Sequence, residues 1–317
     1  MVPFVSISKY MDKVEKKLRK QTKRCKEKIA VVYANGEIVA STDGTGMAED
    51  VIVGKSLAAT LEKVRKDDKI KAVVLRVNSP GGSVFASELI KREMDLLAAS
   101  KLVVASYGDY AASGGYWISA GAKVIFTDKA TLTGSIGCFS MIPAVGNAVH
   151  KIAKVNIATV GSSKHSDMLT GMRHLDDTET AFMQAQIESI YDKFTTIVSD
   201  GRGLSKDSVD AIGQGRVWTG SDAVGIGLAD RVGGLADAIA YAAEQVCPEM
   251  YALVEYPEVK PFSWLSLFGE DVDLDETLTS DAQVSSMFRR LLPFVPMMRK
   301  SQSPVNMARM TEVYSFD

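Results

Sequence analysis

The feature that most constrains the fold of this chain is a repeated alternation of short apolar runs with stretches of helical periodicity. β-Branched and apolar runs at 29–39, 71–82, 101–110 and 123–128 predict strands, and the spacing at 83–99 predicts a helix between two of them. Strands that are apolar on both faces need cover on both faces. The alternation therefore predicts an α/β fold with parallel sheets covered by helices.

The later part of the chain continues this pattern less regularly. Residues 141–160 resemble a helix followed by a strand, and 161–177 resemble a polar loop. A long amphipathic helix is predicted over 178–200, and a last helix is predicted to end near residue 246.

We predict three parts: a basic helical linker at 1–28, a globular domain at 29–246 and a C-terminal extension at 247–317. Residues 9–28 hold ten Lys or Arg and three acidic residues, which is typical of a solvated face or of a surface that contacts a membrane or a partner. The apolar and basic stretch at 287–300 is equally consistent with a docked tail and with membrane-surface contact.

Composition excludes several classes of function. The 37 basic residues nearly balance the 39 acidic residues, so no overall field favours nucleic acid. Cys25, Cys138 and Cys247 form no CxxC pair and the histidines have no HExxH spacing, so we predict no metal and no cofactor. No run of about 18 apolar residues predicts a spanning helix, and the opening segment lacks the order of a secretory signal. The chain is therefore either cytosolic or part of a longer protein.

Ser113 is the candidate nucleophile. It lies in GDYAASGGYW, directly after an apolar strand and at the start of a helix rich in small residues. A helix N-terminus stabilises negative charge, and the neighbouring glycines let a substrate backbone approach closely. An ordinary N-capping serine beside packing glycines would have the same local sequence.

A second loop strengthens the case for a site. NSPGGSV at 78–84 ends the preceding strand, and parallel neighbours present their carboxyl-end loops side by side. We therefore expect Gly81 and Gly82 near Ser113. The N–H groups of Gly81, Gly82 and Gly114 are candidate donors to a developing oxyanion.

These motifs together resemble the signal peptide peptidase A family. The resemblance rests on VVLRVNSPGGSV, AASGGYWIS, TLTGSIGCF at 131–139 and GRVWTGSDAVGIGLAD at 215–230, and it extends over about 29–246. It implies a crotonase/Clp-protease-like fold. The segment PFVSISKYMDK is similar to the bridge between the two halves of the long, double-length members, so the chain resembles their C-terminal half.

The resemblance implies a Ser–Lys dyad in which Ser113 attacks a peptide carbonyl and a neutral lysine is the base. Lysine can act in this way only where burial lowers its pKa. Short family members carry the base about 50 residues after the serine, where this chain has Ser166. Lys164 is two residues away and is a weaker candidate. In long members the base comes from the N-terminal half.

Other residues near these motifs have more than one interpretation. His165 and Lys129 are alternative bases, although a polar-loop residue and a surface lysine explain them as well. Thr133 and Ser135 in the TLTGSIG turn are candidates for lining the substrate groove or orienting the base. A plain strand–helix connection accounts for both almost equally.

The resemblance implies a serine endopeptidase that cleaves residual signal peptides or similar apolar peptides. It also implies a homo-oligomer or an association with an N-terminal half, at the outer face of the cytoplasmic membrane or at the photosynthetic membrane. Because the lysine is missing, a catalytically silent subunit of such an assembly is the alternative. A crotonase-like acyl-CoA enzyme is a third hypothesis, which the serine segment disfavours.

Overall fold

The structure is a computed structural model that describes residues 27–41, 51–247 and 250–257, together with Tyr10, Lys13 and Lys16. The strands in this part of the chain are β1 (Lys28–Asn35), β2 (Glu37–Val39), β3 (Val51–Val53), β4 (Ile70–Ser79), β5 (Leu102–Ala112), β6 (Val124–Thr127), β7 (Leu132–Gly134), β8 (Val217–Thr219), β9 (Arg231–Val232) and β10 (Ala252–Tyr256).

Helices alternate with these strands. They are α1 (Gly54–Lys66), α2 (Val84–Ala98), α3 (Gly114–Ser119), α4 (Gly146–Ala148), α5 (Asp177–Arg202), α6 (Lys206–Ile212), α7 (Gly220–Gly225) and α8 (Leu235–Val246), with a π-helical turn at Val149–Ala153. None of the helices in the described ranges is both long enough and apolar enough to cross a membrane.

The central sheet has the strand order β10-β1-β4-β5-β6-β9, and each of these neighbouring pairs is parallel. β7 pairs in parallel with the last residues of β5, and β8 pairs with β7 in the antiparallel direction. β2 and β3 form a separate parallel pair. The predicted parallel sheet is confirmed.

Strand β4 shows why the sheet is covered on both faces. Val73 and Leu75 are fully buried in the core beneath α1, α2 and α3. Ala72 and Val74 are fully buried on the opposite face, in a second core that includes Ala238 of α8. Apolar side chains on both sides of one strand are what a helix-covered parallel sheet requires.

Helix α5 holds the short helix α3 in place. Asp176 and Glu179 form a capping box at its start, and Gly203 at φ 65° ends it. Phe194 of α5 packs on Trp117 of α3 with 4.7 Å between the ring centroids. Ser113, the residue immediately before α3, is therefore held in place by the packing of α5 against that helix.

The structure differs from the sequence prediction in residues 141–160 and in the helix that follows Ser113. Residues 141–160 contain α4 and the π-helical turn, but no strand forms over 154–161. The β-branched residues there have no neighbouring strand in the described chain to pair with, and a strand needs a partner for its backbone groups. The helix of small residues predicted to start at Ser113 is short: residues 111 and 112 extend β5, and the helix covers only Gly114–Ser119.

The predicted domain end at residue 246 falls before a strand of the sheet. Ala252–Tyr256 forms β10, which pairs with β1 over five residues. The sequence pattern missed this strand because it is short and follows a Cys-Pro pair. Apart from the described residues named above, the linker at 1–28 and the extension at 247–317 lie outside the described residues.

Candidate active site

Ser113 lies at the junction of β5 and α3. Its φ of 51° and ψ of −118° are unusual for a residue with a side chain, and its side chain makes no capping hydrogen bond. The residue is half-buried and lines a cavity. A strained serine at a strand-to-helix turn, with its hydroxyl left unused by the helix, is the arrangement of the serine nucleophile in α/β-hydrolases.

The backbone around Ser113 keeps it in this conformation. Its N–H donates to the Gly134 carbonyl at 2.9 Å, and its own carbonyl accepts from the Trp117 N–H at 2.8 Å. Gly81 approaches so closely that a Cβ there would lie 2.8 Å from the Ser113 Cβ. The strain is thus held by two hydrogen bonds and by close packing against the NSPGGSV loop.

The structure brings the two glycine loops together. A Cβ added to Gly114 would lie 3.2 Å from the Gly82 nitrogen and 2.6 Å from the Ser87 hydroxyl. The approach follows from strand pairing, since β4 and β5 are parallel neighbours and both loops leave the same edge of the sheet. A Cβ at Gly82 would lie 2.1 Å from the Ile38 carbonyl oxygen, so that position requires glycine, and a Cβ at Gly114 would have to displace the Ser87 hydroxyl.

The three candidate N–H donors differ in availability. The Gly81 N–H donates to the Ser79 hydroxyl at 3.2 Å. The β-bridge between Ile38 and Gly82 does not use the Gly82 N–H. The Ile38 N–H donates to the Gly81 carbonyl, and the Ile38 carbonyl accepts from the Ser83 N–H. No hydrogen bond from the N–H of Gly82 or Gly114 is found within the described chain. These two groups, rather than Gly81, are available to an oxyanion.

The cavity beside Ser113 has a volume of about 920 Å³. Its apolar lining includes Phe139 and Ile187, and its lining also includes exposed carboxylates on α5 and α6. We call these carboxylates the acidic wall, and they are Glu188, Asp192, Asp207 and Asp210. The sequence motifs did not predict this wall. The spacing of Glu188 and Asp192 along the long helix was the available signal.

The two residues of the TLTGSIG turn have different environments. Ser135 lines the cavity, with its backbone at φ 47° and its N–H bound to the Arg216 carbonyl at 2.7 Å. Thr133 is fully buried, and its hydroxyl donates to the Ala111 carbonyl at 2.7 Å. Thr133 is therefore not among the residues that line this cavity, because its hydroxyl binds inside the sheet and supports the end of β5. Its part in a substrate groove stays a prediction.

Lys164 is not placed as a buried base would be. Its side chain is 72% exposed and forms an ion pair with Asp176 at 3.3 Å. It is absent from the residues that line the cavity of Ser113. Ser166, at the position of the family's lysine, is also exposed and bonds within its own turn to Ser163. A lysine base needs burial that disfavours its ammonium form, and Lys164 lacks that burial.

Lys206 is the lysine among the cavity-lining residues described. Its ammonium group is paired with Asp192 at 2.5 Å, and its side chain is 45% exposed. Lys129 lies in an exposed turn and does not line the cavity. The described chain therefore offers Ser113 no buried, unpaired lysine from its cavity lining.

His165 belongs to a network centred on Glu179. The Glu179 carboxylate is nearly fully buried and binds Arg173 through both oxygens, while His165 Nδ1 lies 2.8 Å from it. Hydrogen bonds from Arg173, the Asp176 backbone and His165 hold the Glu179 pKa well below its usual range. The network explains His165 as part of the loop that leads into α5.

His165, Asp176 and Glu179 are close enough to one another to hold a metal ion. Both carboxylates already form ion pairs with basic side chains, however, because Arg173 binds Glu179 and Lys164 binds Asp176. A divalent ion would have to displace both ion pairs. These residues are better explained as a structural network.

Cys138 also lines the cavity of Ser113. Burial raises the pKa of its thiol, which donates to the Ile187 carbonyl at 3.2 Å. A nucleophilic cysteine needs a lowered pKa, so Cys138 is part of the cavity wall rather than a competing nucleophile.

Comparisons with known proteins show which family this chain resembles. The sequence signature of peptidase family S49 matches residues 95–247, and that of Clp protease matches residues 20–132. Protease 4 of Haemophilus influenzae is 41% identical over 257 residues, which cover 81% of this chain and 40% of that protein. A putative protease of Synechocystis is 32% identical over 263 residues, which cover 80% of this chain and 90% of that protein.

A solved structure of a ClpP1 mutant from Listeria monocytogenes covers 71% of this chain and 99% of its own, with 14% identity. Its TM-score is 0.45.

The fold and the serine loop define an α/β protein of the crotonase/Clp-protease-like class, as the resemblance implied. The chain belongs to peptidase family S49, the family of the signal peptide peptidase A proteins. It spans about a third to two fifths of the length of the Protease 4 relatives, with 40% of one and 34% of another covered.

Proposed function

We propose that this chain carries the nucleophile of a serine endopeptidase, with Ser113 as that nucleophile. The observation that supports this most directly is the strained Ser113 backbone beside the unbonded N–H groups of Gly82 and Gly114. A structural N-cap would use the serine hydroxyl to bind its own helix, and Ser113 does not. Membership of peptidase family S49 is consistent with this role.

The geometry suggests how the residues would act. The Ser113 hydroxyl would attack a peptide carbonyl carbon, transferring its proton to a base. The negative charge that develops on the carbonyl oxygen would be stabilised by the N–H groups of Gly82 and Gly114. The proton would then pass to the leaving amine, and water would hydrolyse the acyl-enzyme with the same base as proton acceptor.

The base in this proposal is a lysine from another half or another subunit. This proposal is supported by the exposure and ion pairing of Lys164 and by the pairing of Lys206 with Asp192. It is also supported by Ser166, which occupies the position where the short family members have their lysine.

Apolar peptides, such as residual signal peptides, are the proposed substrates. Phe139 and Ile187 give the cavity of Ser113 an apolar lining, which favours apolar side chains. One relative from Enterococcus faecium is called a putative signal peptide peptidase. We extend that substrate to this chain and, with it, propose a place of action at a membrane surface.

A catalytically silent subunit of such an assembly is the second candidate. One observation favours it: the cavity lining that is described contains no lysine that is both buried and unpaired. In that case Ser113 would keep its conformation but would not be activated within assemblies of this chain alone.

Labelling of the purified, folded chain with a fluorophosphonate, read by intact mass, tests the proposal. We expect one adduct, lost in Ser113→Ala and retained in Ser140→Ala, which changes an exposed serine near the same cavity. If the chain alone is not labelled, adding the N-terminal half of a long family member should restore labelling. Absence of an adduct under both conditions would refute the nucleophile assignment.

A further inference from the structure

We propose that a second cavity, on the face of the sheet that α8 covers, binds a small zwitterion: a free amino acid or a short peptide whose amino and carboxyl groups are both unblocked. This cavity has a volume of about 420 Å³ and shares no lining residue with the cavity of Ser113. We call it the Arg76 cavity, after the cation in its lining. The inference concerns binding and does not require Ser113 to be a nucleophile.

The Arg76 cavity lies at the carboxyl ends of several strands. Asp109 lies near the end of β5, Asp128 directly follows β6, and Gly234 lies between β9 and α8. Arg76 follows Leu75 on β4, and Leu75 is buried in the core beneath α1, α2 and α3. Because side chains alternate along a strand, Arg76 extends from the opposite face. Crevices outside the carboxyl ends of strands are common ligand sites in α/β proteins.

Arg76 presents unused hydrogen-bond donors to this cavity. Its Nη1 donates to the Ser106 hydroxyl at 3.0 Å and to the Tyr107 carbonyl. Its Nε and Nη2 donate to no group of the described chain, and neither atom is buried. These two nitrogens form one edge of the planar guanidinium, and that edge matches the two oxygens of a carboxylate.

Arg76 also forms no ion pair with a carboxylate among the described residues. Burial lowers the pKa of its guanidinium, and the charge of Asp109 in the same cavity opposes that fall. Asp109 is therefore near the guanidinium without being bound to it. A partly buried cation that lacks a bound anion costs free energy, and the carboxylate of a ligand would offset that cost.

Two carboxylates of the lining determine the rest of the ligand. Asp109 and Asp128 are exposed, and neither forms an ion pair within the part of the chain that the structure describes. A simple anion would be attracted by Arg76 but repelled by both carboxylates, and a simple cation would meet the opposite difficulty. A ligand with separate negative and positive ends suits all three groups, which is why we choose a zwitterion.

Tyr110 and Leu132 add apolar surface to the same cavity. They are paired across β5 and β7, and their side chains are 48% and 39% exposed. A volume of this size, with an apolar surface and a few polar groups, is typical of a site for a small molecule. An amino acid with an apolar side chain, or a dipeptide of such amino acids, carries all the groups that this lining would bind.

Isothermal titration calorimetry with leucyl-leucine tests the proposal. The full chain carrying Ser113→Ala is the starting protein, because it cannot hydrolyse the probe through Ser113. We expect one dipeptide to bind per chain with a Kd of about 1 mM or lower. Leucyl-leucinamide lacks the carboxylate and N-acetyl-leucyl-leucine lacks the ammonium group, so each should bind at least about tenfold more weakly.

Two further variants of that chain locate the binding. Arg76→Gln should weaken the binding of leucyl-leucine at least about tenfold. Asp109→Asn with Asp128→Asn changes only exposed side chains and should weaken binding to a similar extent, with the fold verified by circular dichroism.

A matched control makes the same change of charge elsewhere. Asp68→Asn with Asp200→Asn alters two exposed carboxylates outside both cavities and should leave the affinity for leucyl-leucine unchanged. Loss of binding in this control as well would show that net charge, rather than the Arg76 cavity, determines the affinity, and would contradict the proposal.

Three other outcomes would overturn it: no binding of leucyl-leucine, equal binding of a blocked peptide, or an unchanged affinity in the aspartate variant. Tighter binding of O-phosphoethanolamine than of leucyl-leucine would assign the cavity to a phosphate zwitterion such as a lipid headgroup, and would overturn the choice of an amino acid or peptide. None of these measurements uses labelling of Ser113, so failure of the proposed peptidase activity and failure of this inference are distinguishable.

Discussion

At the scale of single residues, backbone strain is concentrated around one cavity. Four non-glycine residues of the described chain have positive φ, and three of them, Ser113, Ser135 and Gln214, line the cavity beside Ser113. Each such residue costs about 1–3 kcal/mol, which the surrounding structure must offset. Strain of this kind tends to occur at functional sites, which agrees with the position of Ser113.

Gly81 is the residue on which the conformation of Ser113 most depends. Its φ of 104° is strained for any side chain, and a Cβ would meet the Gly114 nitrogen at 2.7 Å. We expect Gly81→Ala to lower the free energy of unfolding by about 1–3 kcal/mol and to reduce labelling of Ser113. Urea denaturation measures the first effect and intact mass the second.

Gly225→Ala is the matched control. Gly225 ends α7, has no positive φ and has no atom within 4 Å of the added Cβ. Its stability should be unchanged or higher by about 0.5 kcal/mol. Equal stability of the Gly81 and Gly225 variants would show that the close packing against Ser113 is not structurally important.

At the scale of elements, the geometry of the site depends on how α5 packs against α3. Helix α3 has only six residues, so its own hydrogen bonds stabilise it weakly. Phe194 is 1% exposed and Trp117 is 2% exposed, and the contact of their rings joins the two helices. The position of Ser113 is therefore maintained from a helix that begins more than 60 residues later in the sequence.

Phe194→Ala should test this dependence. Removing a buried phenylalanine leaves a cavity and costs about 3–5 kcal/mol. We expect a loss of that size in urea denaturation and a lower rate of labelling at Ser113, because α3 loses its support. Phe182→Ala on the same helix removes a side chain that is 53% exposed, so its stability should change by no more than about 0.5 kcal/mol. Similar losses for both variants would contradict the proposed packing role.

At the scale of the described sheet, both edges are made by short strands. β10 covers β1 over the register Lys28 to Val32, and Ala252 and Tyr256 are buried there. An exposed β1 would present unpaired N–H and C=O groups along a flat, apolar strand. The strand that follows the last helix is thus part of the fold and protects it from edge-to-edge association.

Truncation measures the contribution of β10. A chain that ends at Val246 lacks this strand, whereas one that ends at Pro257 retains it. At about 1 kcal/mol for each backbone hydrogen bond, we expect the shorter chain to be less stable by roughly 3 kcal/mol or more. It should also aggregate at lower concentration in light scattering. Equal stability and solubility of the two chains would show that the β10 pairing is dispensable.

The sequence by itself determined the parallel α/β architecture and the meeting of Ser113 with the glycines of NSPGGSV. Buried strands are marked by local apolar runs, and consecutive parallel strands bring their carboxyl ends to the same edge, so both conclusions follow from order along the chain. The motifs of the family are local as well, which is why the resemblance to the signal peptide peptidase A family follows from the sequence alone.

Only the tertiary structure decided which groups are free to act. The Gly81 N–H is bound to Ser79 and the Thr133 hydroxyl to Ala111, whereas the N–H of Gly82 is left unbonded in the described chain. Tertiary structure also determined that β10 finds a partner in the sheet and that residues 154–161 do not. Local sequence encodes what a segment can form, but hydrogen bonding and burial depend on partners that are distant along the chain.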